Sequence, residues 1–316
     1  MNEQDGKAIT PPKKKKPKPK RPVRRFLEYV LAGGFYYAVR LMPYSAAMRL
    51  GGLLGVLAYR IDGRHRGITE EALSTSFPEK SPEEISAIGR TVFRNLGYLA
   101  VEFICSDRLA KKPLEEVFEF VNYGSFVEAY DKGKGVLLLT GHLGSWELMA
   151  VAQSIKNPKL TIVVRPLDNP YLEDAVSRVR TRFGNRLINK NKGMREILRA
   201  LGRGESIGIL LDQSVAKKEG VFVDFFGRPA CTNIGLALIA ARTKAPVIPA
   251  FTRRVSMYRH EIIIGEELPL IDTGDRDADI LANTQAYTKV IEDFIRKYPD
   301  QWFWMHRRWK TKMEDA

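Results

Sequence analysis

Residues 135–147 read Gly135-Val136-Leu137-Leu138-Leu139-Thr140-Gly141-His142-Leu143-Gly144-Ser145-Trp146-Glu147. A short unbroken apolar run between glycines predicts a strand buried on both faces, as in a parallel sheet with helices above and below. Gly141 and Gly144 let the backbone turn tightly and let a ligand approach. Ser145 suits a helix N-cap, so the strand passes directly into a helix over residues 146–155. Ligands of open α/β sheets collect at the carboxyl ends of strands, and His142 stands at that position.

The same alternation extends in both directions. Strands are predicted at residues 117–121, 161–164, 207–211, 246–255 and 261–264. Helices are predicted at 170–183, 194–201, 234–242 and 277–298. Upstream, Ser81-Pro82-Glu83-Glu84 is a helix start, with Ser at the N-cap, Pro at N1 and acids in the first turn. Ile85, Ile88, Val92, Leu96, Leu99 and Phe103 then recur at helical spacing. Strands alternating with helices predict an α/β fold with a mostly parallel central sheet flanked by helices.

The chain has 316 residues, 44% of them hydrophobic, which is ample for a core and excludes a disordered chain. Its formal net charge is +14, and residues 1–25 carry ten basic and two acidic side chains, or +8 of that total. Prolines are mixed with lysines through residues 11–22, which predicts a disordered basic arm over 1–25. Residues 26–61 hold two uncharged stretches, 29–39 and 50–59, separated near Pro43. Neither reaches the roughly 18 apolar residues of a spanning helix. A polybasic arm followed by short apolar helices predicts a membrane-surface anchor over 26–61, with the main domain over 62–316. The plainer alternative is that these helices cover the core of the main domain.

Chemistry narrows to few groups. Cys105 and Cys231 form no metal-binding or disulfide pattern, and neither neighbours a histidine. His65, His260 and His306 sit in contexts that favour structural or surface roles. His142 differs, because Glu147 falls in the first turn of the following helix. A carboxylate there can hold one imidazole nitrogen and leave the other free as a base. The alternative is a strand-end histidine in a satisfied hydrogen-bond network.

The block from Gly141 to Glu147 resembles the His-x4-Asp/Glu motif of glycerolipid-type acyltransferases. Its form with Glu is typical of the bacterial lipid A late acyltransferases. Four further blocks are similar to that family in the same order. They are Asn95-Leu96-Gly97 with Glu102, then Val164-Arg165-Pro166 with Asp168-Asn169-Pro170. Next come Asp212-Gln213 with Gly220-Val221-Phe222-Val223 and Phe225-Phe226-Gly227-Arg228-Pro229-Ala230. The last runs from Gln301-Trp302-Phe303-Trp304-Met305-His306 to Arg307-Arg308-Trp309-Lys310.

The resemblance implies a membrane-bound enzyme at the cytoplasmic face of the inner membrane. It implies that His142 is the general base, that Glu147 orients it, and that Arg180 and Asp212 complete the catalytic set. Arg180 has the alternative of a solvated helix face, and Asp212 that of a loop cap. Arg165, Gly144 and Arg228 are the expected substrate-binding residues, with pairing to Asp168 as the alternative for Arg165. The implied donor is acyl-acyl carrier protein, and the acceptor a phosphorylated lipid A precursor. A basic surface of Lys217, Lys218, Arg228, Arg253, Arg254, Arg307 and Arg308 suits that acceptor. Backbone N–H groups beside Gly141 and Gly144, or an arginine, would meet the oxyanion. A thioester is already activated, so neither a cofactor nor a metal is expected. Acylation of another glycolipid or phospholipid from acyl-CoA is the near alternative. A nucleic-acid-binding protein is the distant one, because no base-reading motif accompanies the basic arm.

Overall fold

The computed structural model describes residues 22–156, 160–190 and 193–313. Most of the basic arm read over residues 1–25 lies outside the described residues, and Pro22 already opens a helix. That helix, α1 (Pro22–Leu41), is followed by α2 (Tyr44–Ile61). Pro43 separates them, since it fixes its own φ and has no N–H to continue the ladder. α3 (Gly63–Ser76) leads to α4 (Pro82–Ile104), whose start is a capping box between Ser81 and Glu84. α2 crosses α4 at glycines: a Cβ on Gly55 or Gly97 would collide with the backbone of Phe93 or Gly51. The two backbones therefore touch, and residues 26–61 pack closely onto the body.

Short helices α5 (Ser106–Leu109) and α6 (Leu114–Val117) bring the chain to the sheet. It then alternates through β1 (Phe118–Val121), α7 (Tyr123–Asp131), β2 (Val136–Thr140), α8 (Trp146–Lys156), β3 (Leu160–Val164), α9 (Pro170–Thr181), β4 (Arg186–Asn189), α10 (Gly193–Gly202) and β5 (Ser206–Leu210). A hairpin of β6 (Gly220–Phe225) and β7 (Arg228–Asn233) interrupts before α11 (Gly235–Thr243), β8 (Val247–Arg254), β9 (His260–Ile264) and α12 (Arg276–Lys297). The seven main strands lie in the order β1-β9-β8-β2-β5-β3-β4. All neighbours are parallel except β8 and β9. The α/β class read from the alternation is the class observed.

β2 is central and all five of its residues are buried, which is why its sequence is apolar without alternation. One face of the sheet packs Leu137, Leu139 and Ile207 under α10 and α11. The other packs Leu138, Leu160 and Ile162 under α8 with Leu148 and Ala152. A third cluster joins Val39, Ala47 and Met48 to Val101 and Cys105 of the α4 end. The outer side of α1 and α2 remains apolar and exposed, with Leu31 at 73%, Leu41 at 87% and Ile61 at 74%. Among the described residues no helix is long and apolar enough to cross a membrane.

Candidate active site

β2 and β5 are neighbours in register up to Thr140 and Leu210, so their carboxyl ends lie side by side. Gly141 follows one strand and Asp212 the other, and a Cβ on Gly141 would stand 3.2 Å from the Asp212 carboxylate. This lack of bulk lets Asp212 reach His142. The Asp212 Oδ1 is 2.8 Å from His142 Nδ1, and its Oδ2 accepts the His142 backbone N–H at 2.8 Å. Trp302 Nε1–H donates to the same Oδ2 at 2.8 Å. His306 Nε2 stands 3.6 Å from that oxygen.

The carboxylate is fully buried, which alone would favour its neutral form. The charge and hydrogen bond of His142, with His306 beside them, outweigh burial and hold Asp212 well below the ordinary 3.8. Burial likewise disfavours the His142 imidazolium. The Asp212 charge and hydrogen bond, helped by Glu147, reverse that effect and raise His142 above 6.5. With Nδ1–H donated to Asp212, Nε2 is left as the acceptor. It faces the Gln213 amide at 3.3 Å, and the imidazole ring packs against both Trp146 and Phe303.

Asp212, not Glu147, therefore holds the imidazole. Glu147 starts α8 and reaches across to α9, where Arg180 grips it in a two-pronged pair, with Nε to Oε2 at 3.0 Å. The pair is largely buried, and despite burial Glu147 raises the Arg180 pKa. His142, Glu147, Arg165 and Arg180 all line one cavity of about 890 Å³ at the strand ends. Asp212 sits behind His142.

Two expected binding residues stand elsewhere. Gly144 has φ +53°, and backbone of Thr252 fills the space a side chain would take. Its N–H donates to Gln301 O at 2.8 Å, while that of Leu143 donates to Gly141 O at 2.9 Å. The N–H groups of residues 142, 143 and 144 are thus committed, and an oxyanion must be met by other donors. Thr140 lines the cavity, and its buried Oγ1 has no hydrogen-bond partner among the described residues. Arg228 leaves the cavity altogether. Its guanidinium stacks 3.6 Å over Trp309 and bonds Ser76 Oγ, and burial lowers its pKa.

The expected basic surface is also smaller. Arg254 is buried against Glu102, and Arg308 is buried against Cys231 O and Thr232. Lys190 and Lys218 line the cavity instead. Trp302 and His306 are the site neighbours that their sequence context did not suggest, since both arrive from the far C-terminal segment. A bridge between Leu143 and Trp302, and the Phe303 N–H on His142 O at 3.0 Å, pin that segment to the loop.

Ligand atoms of His142, Asp212 and His306 lie within 4.8 Å of one another. The Asp212 oxygens already accept three N–H bonds, so the donor set fits a buried carboxylate organising histidines better than an ion's coordination shell. Burial raises both cysteine thiols, which suits neither as a nucleophile.

The sequence profile of the family "Bacterial lipid A biosynthesis acyltransferase" matches residues 13–311. The chain belongs to this family. It is an acyltransferase of lipid A biosynthesis, and its relatives span most of its length. It is 27% identical over 273 residues to the lipid A biosynthesis palmitoleoyltransferase of Escherichia coli (strain K12), covering 86% of this chain and 87% of that one. Identity to the lauroyltransferase of the same organism is 27% over 295 residues, covering 92% and 94%. With its myristoyltransferase it is 24% over 262 residues, covering 82% and 79%. Within the acyltransferase, the Gly141–Glu147 block and the Asp212-Gln213 block meet at one cavity, and the Gln301–Lys310 block closes behind it.

Proposed function

We propose that this acyltransferase moves a fatty acyl group from acyl-acyl carrier protein to a hydroxyl of a lipid A precursor, with His142 as general base. The observation that carries the reading is the held imidazole, with Nδ1 tied to the buried Asp212 and Nε2 turned to the cavity. The acceptor hydroxyl gives its proton to Nε2 as its oxygen attacks the thioester carbonyl. Asp212 stabilises the imidazolium so formed. The tetrahedral oxyanion then collapses, the C–S bond breaks, and His142 returns the proton to the leaving thiolate. No covalent enzyme intermediate is needed.

Glu147 holds Arg180 at the cavity wall, where the guanidinium can face substrate charge. Lys190, Lys218 and Arg165 make the mouth basic, which suits a phosphorylated acceptor and an acidic carrier. The exposed apolar side of α1 and α2 supports attachment to the cytoplasmic face of the inner membrane. The test is purified protein given acyl-acyl carrier protein or acyl-CoA, with a lipid A precursor or a lysophospholipid. Products are read by mass spectrometry. An acylated lipid A precursor formed preferentially from the carrier protein is the expected result. Preferential acylation of the lysophospholipid would refute the acceptor assignment.

A further inference from the structure

The sheet is not closed to its end. β5 pairs with β2 along its whole length and β3 with β4 through Val164, but the β3–β5 ladder stops at Ile162 and Gly208. Beyond that rung the two strands part, and the same cavity that holds His142 enters between them. Gly208, Ile209 and Leu210 are only half-buried although β5 is an interior strand.

Gly208 sits at the junction. Leu138, Gly208 and Ile162 are in register across β2, β5 and β3, and the flanking two pack under α8. Between them Gly208 contributes no side chain. A Cβ there would meet nothing closer than 4.0 Å, and its φ lies outside the left-handed region. Neither backbone strain nor crowding requires a glycine. A glycine inside a strand weakens it, and where no bulge or crowding calls for it, it commonly marks a place where a ligand or another backbone approaches closely.

The cavity continues on this face past Ala150 of α8 and Ala250 of β8 to Ile264 of β9. From β3 to β9 is four interstrand steps, about 19 Å. Its lining there is apolar apart from Gln153 of α8, which suits a hydrocarbon chain.

We propose that Gly208 sets the length of the acyl chain transferred. The chain runs from the thioester at His142 into the groove beneath α8 and crosses the open floor at Gly208. This rests on the acyltransferase reading above. A side chain at 208 raises that floor and shortens the chain that fits.

The test uses the full chain with a graded series of saturated acyl-acyl carrier protein donors, comparing wild type with Gly208→Ala, Gly208→Val and Gly208→Leu. Equilibrium binding of the matching fatty acids by calorimetry reads the same groove without turnover, and thermal unfolding checks the fold. The preferred chain is expected to shorten from Ala to Leu. For the Val variant, kcat/KM for the longest accepted chain should fall about tenfold or more relative to a shorter one. An unchanged length profile in both assays, in variants that unfold like wild type, overturns the proposal. Chain binding whose length limit shortens from wild type to the Gly208 variants, with no transfer by the wild type, would refute the transfer reading and leave the groove assignment standing.

Discussion

The proton affinity of His142 is set by one carboxylate whose own charge is secured by three N–H donors. This gives a pH prediction with a definite sign. A raised His pKa means that the neutral, base-competent imidazole is lost as pH falls through a value above 6.5. Asp212→Asn removes the main raising influence and leaves burial opposed only by Glu147, so the acid limb of kcat/KM should move to lower pH. Turnover should drop about a hundredfold or more, because the tautomer and the imidazolium lose their support. An acid limb that stays in place would reject Asp212 as the controlling charge. The folded-state pKa of Asp212 is depressed, so its contribution to stability is full above 3.8 and fades as pH drops through the folded value. Arg228 is the contrasting case. Arg228→Ala should cost about 0.5–1 kcal/mol through its stack on Trp309. It should leave KM for the acceptor unchanged, and a raised KM would return Arg228 to the binding site. His142 was legible as a residue because the strand before it is unmistakable and local. Its partnership with Asp212 was not, because the two stand 70 positions apart and only the β2–β5 pairing closes the gap. Glu147 lay nearest in sequence but is turned by α8 toward Arg180.

At the scale of elements, the α2–α4 crossing is the sharpest packing constraint. Gly97 and Gly55 admit no Cβ without moving backbone. Gly97→Leu should therefore destabilise by about 1–3 kcal/mol or more, read as a lower melting temperature. A wild-type melting temperature would contradict the close crossing. The strands and helices with strong period or caps were readable, including the capping box of α4 and the buried β2. β4 was not, since Arg186-Leu187-Ile188-Asn189 is four residues with two polar ends. The β6–β7 hairpin was also missed as strands. Its residues pair antiparallel around Phe226 and Gly227, both at positive φ, and stand outside the main sheet's alternation.

For the whole molecule, charge and apolar surface converge on the N-terminal side. Leu27 and Leu31 of α1 are 55% and 73% exposed beside Arg24 and Arg25. Replacing both leucines with Ser should weaken partition to anionic vesicles by about 2–4 kcal/mol while leaving transfer in detergent intact. Raising salt should weaken wild-type binding further, because the basic residues act over a screened distance. Equal partition of the two proteins would remove α1 from the membrane contact. One side of the helices over residues 26–61 packs on α4, and the outward apolar side is the one the proposed membrane contact would use. His142 is the group on which the chemistry turns, and one measurement bears on it directly. Single-turnover transfer from acyl-acyl carrier protein to a lipid A precursor should fall about 10²- to 10⁴-fold in His142→Ala, with unfolding and vesicle binding unchanged. Transfer at the wild-type rate in that variant would contradict the general-base mechanism.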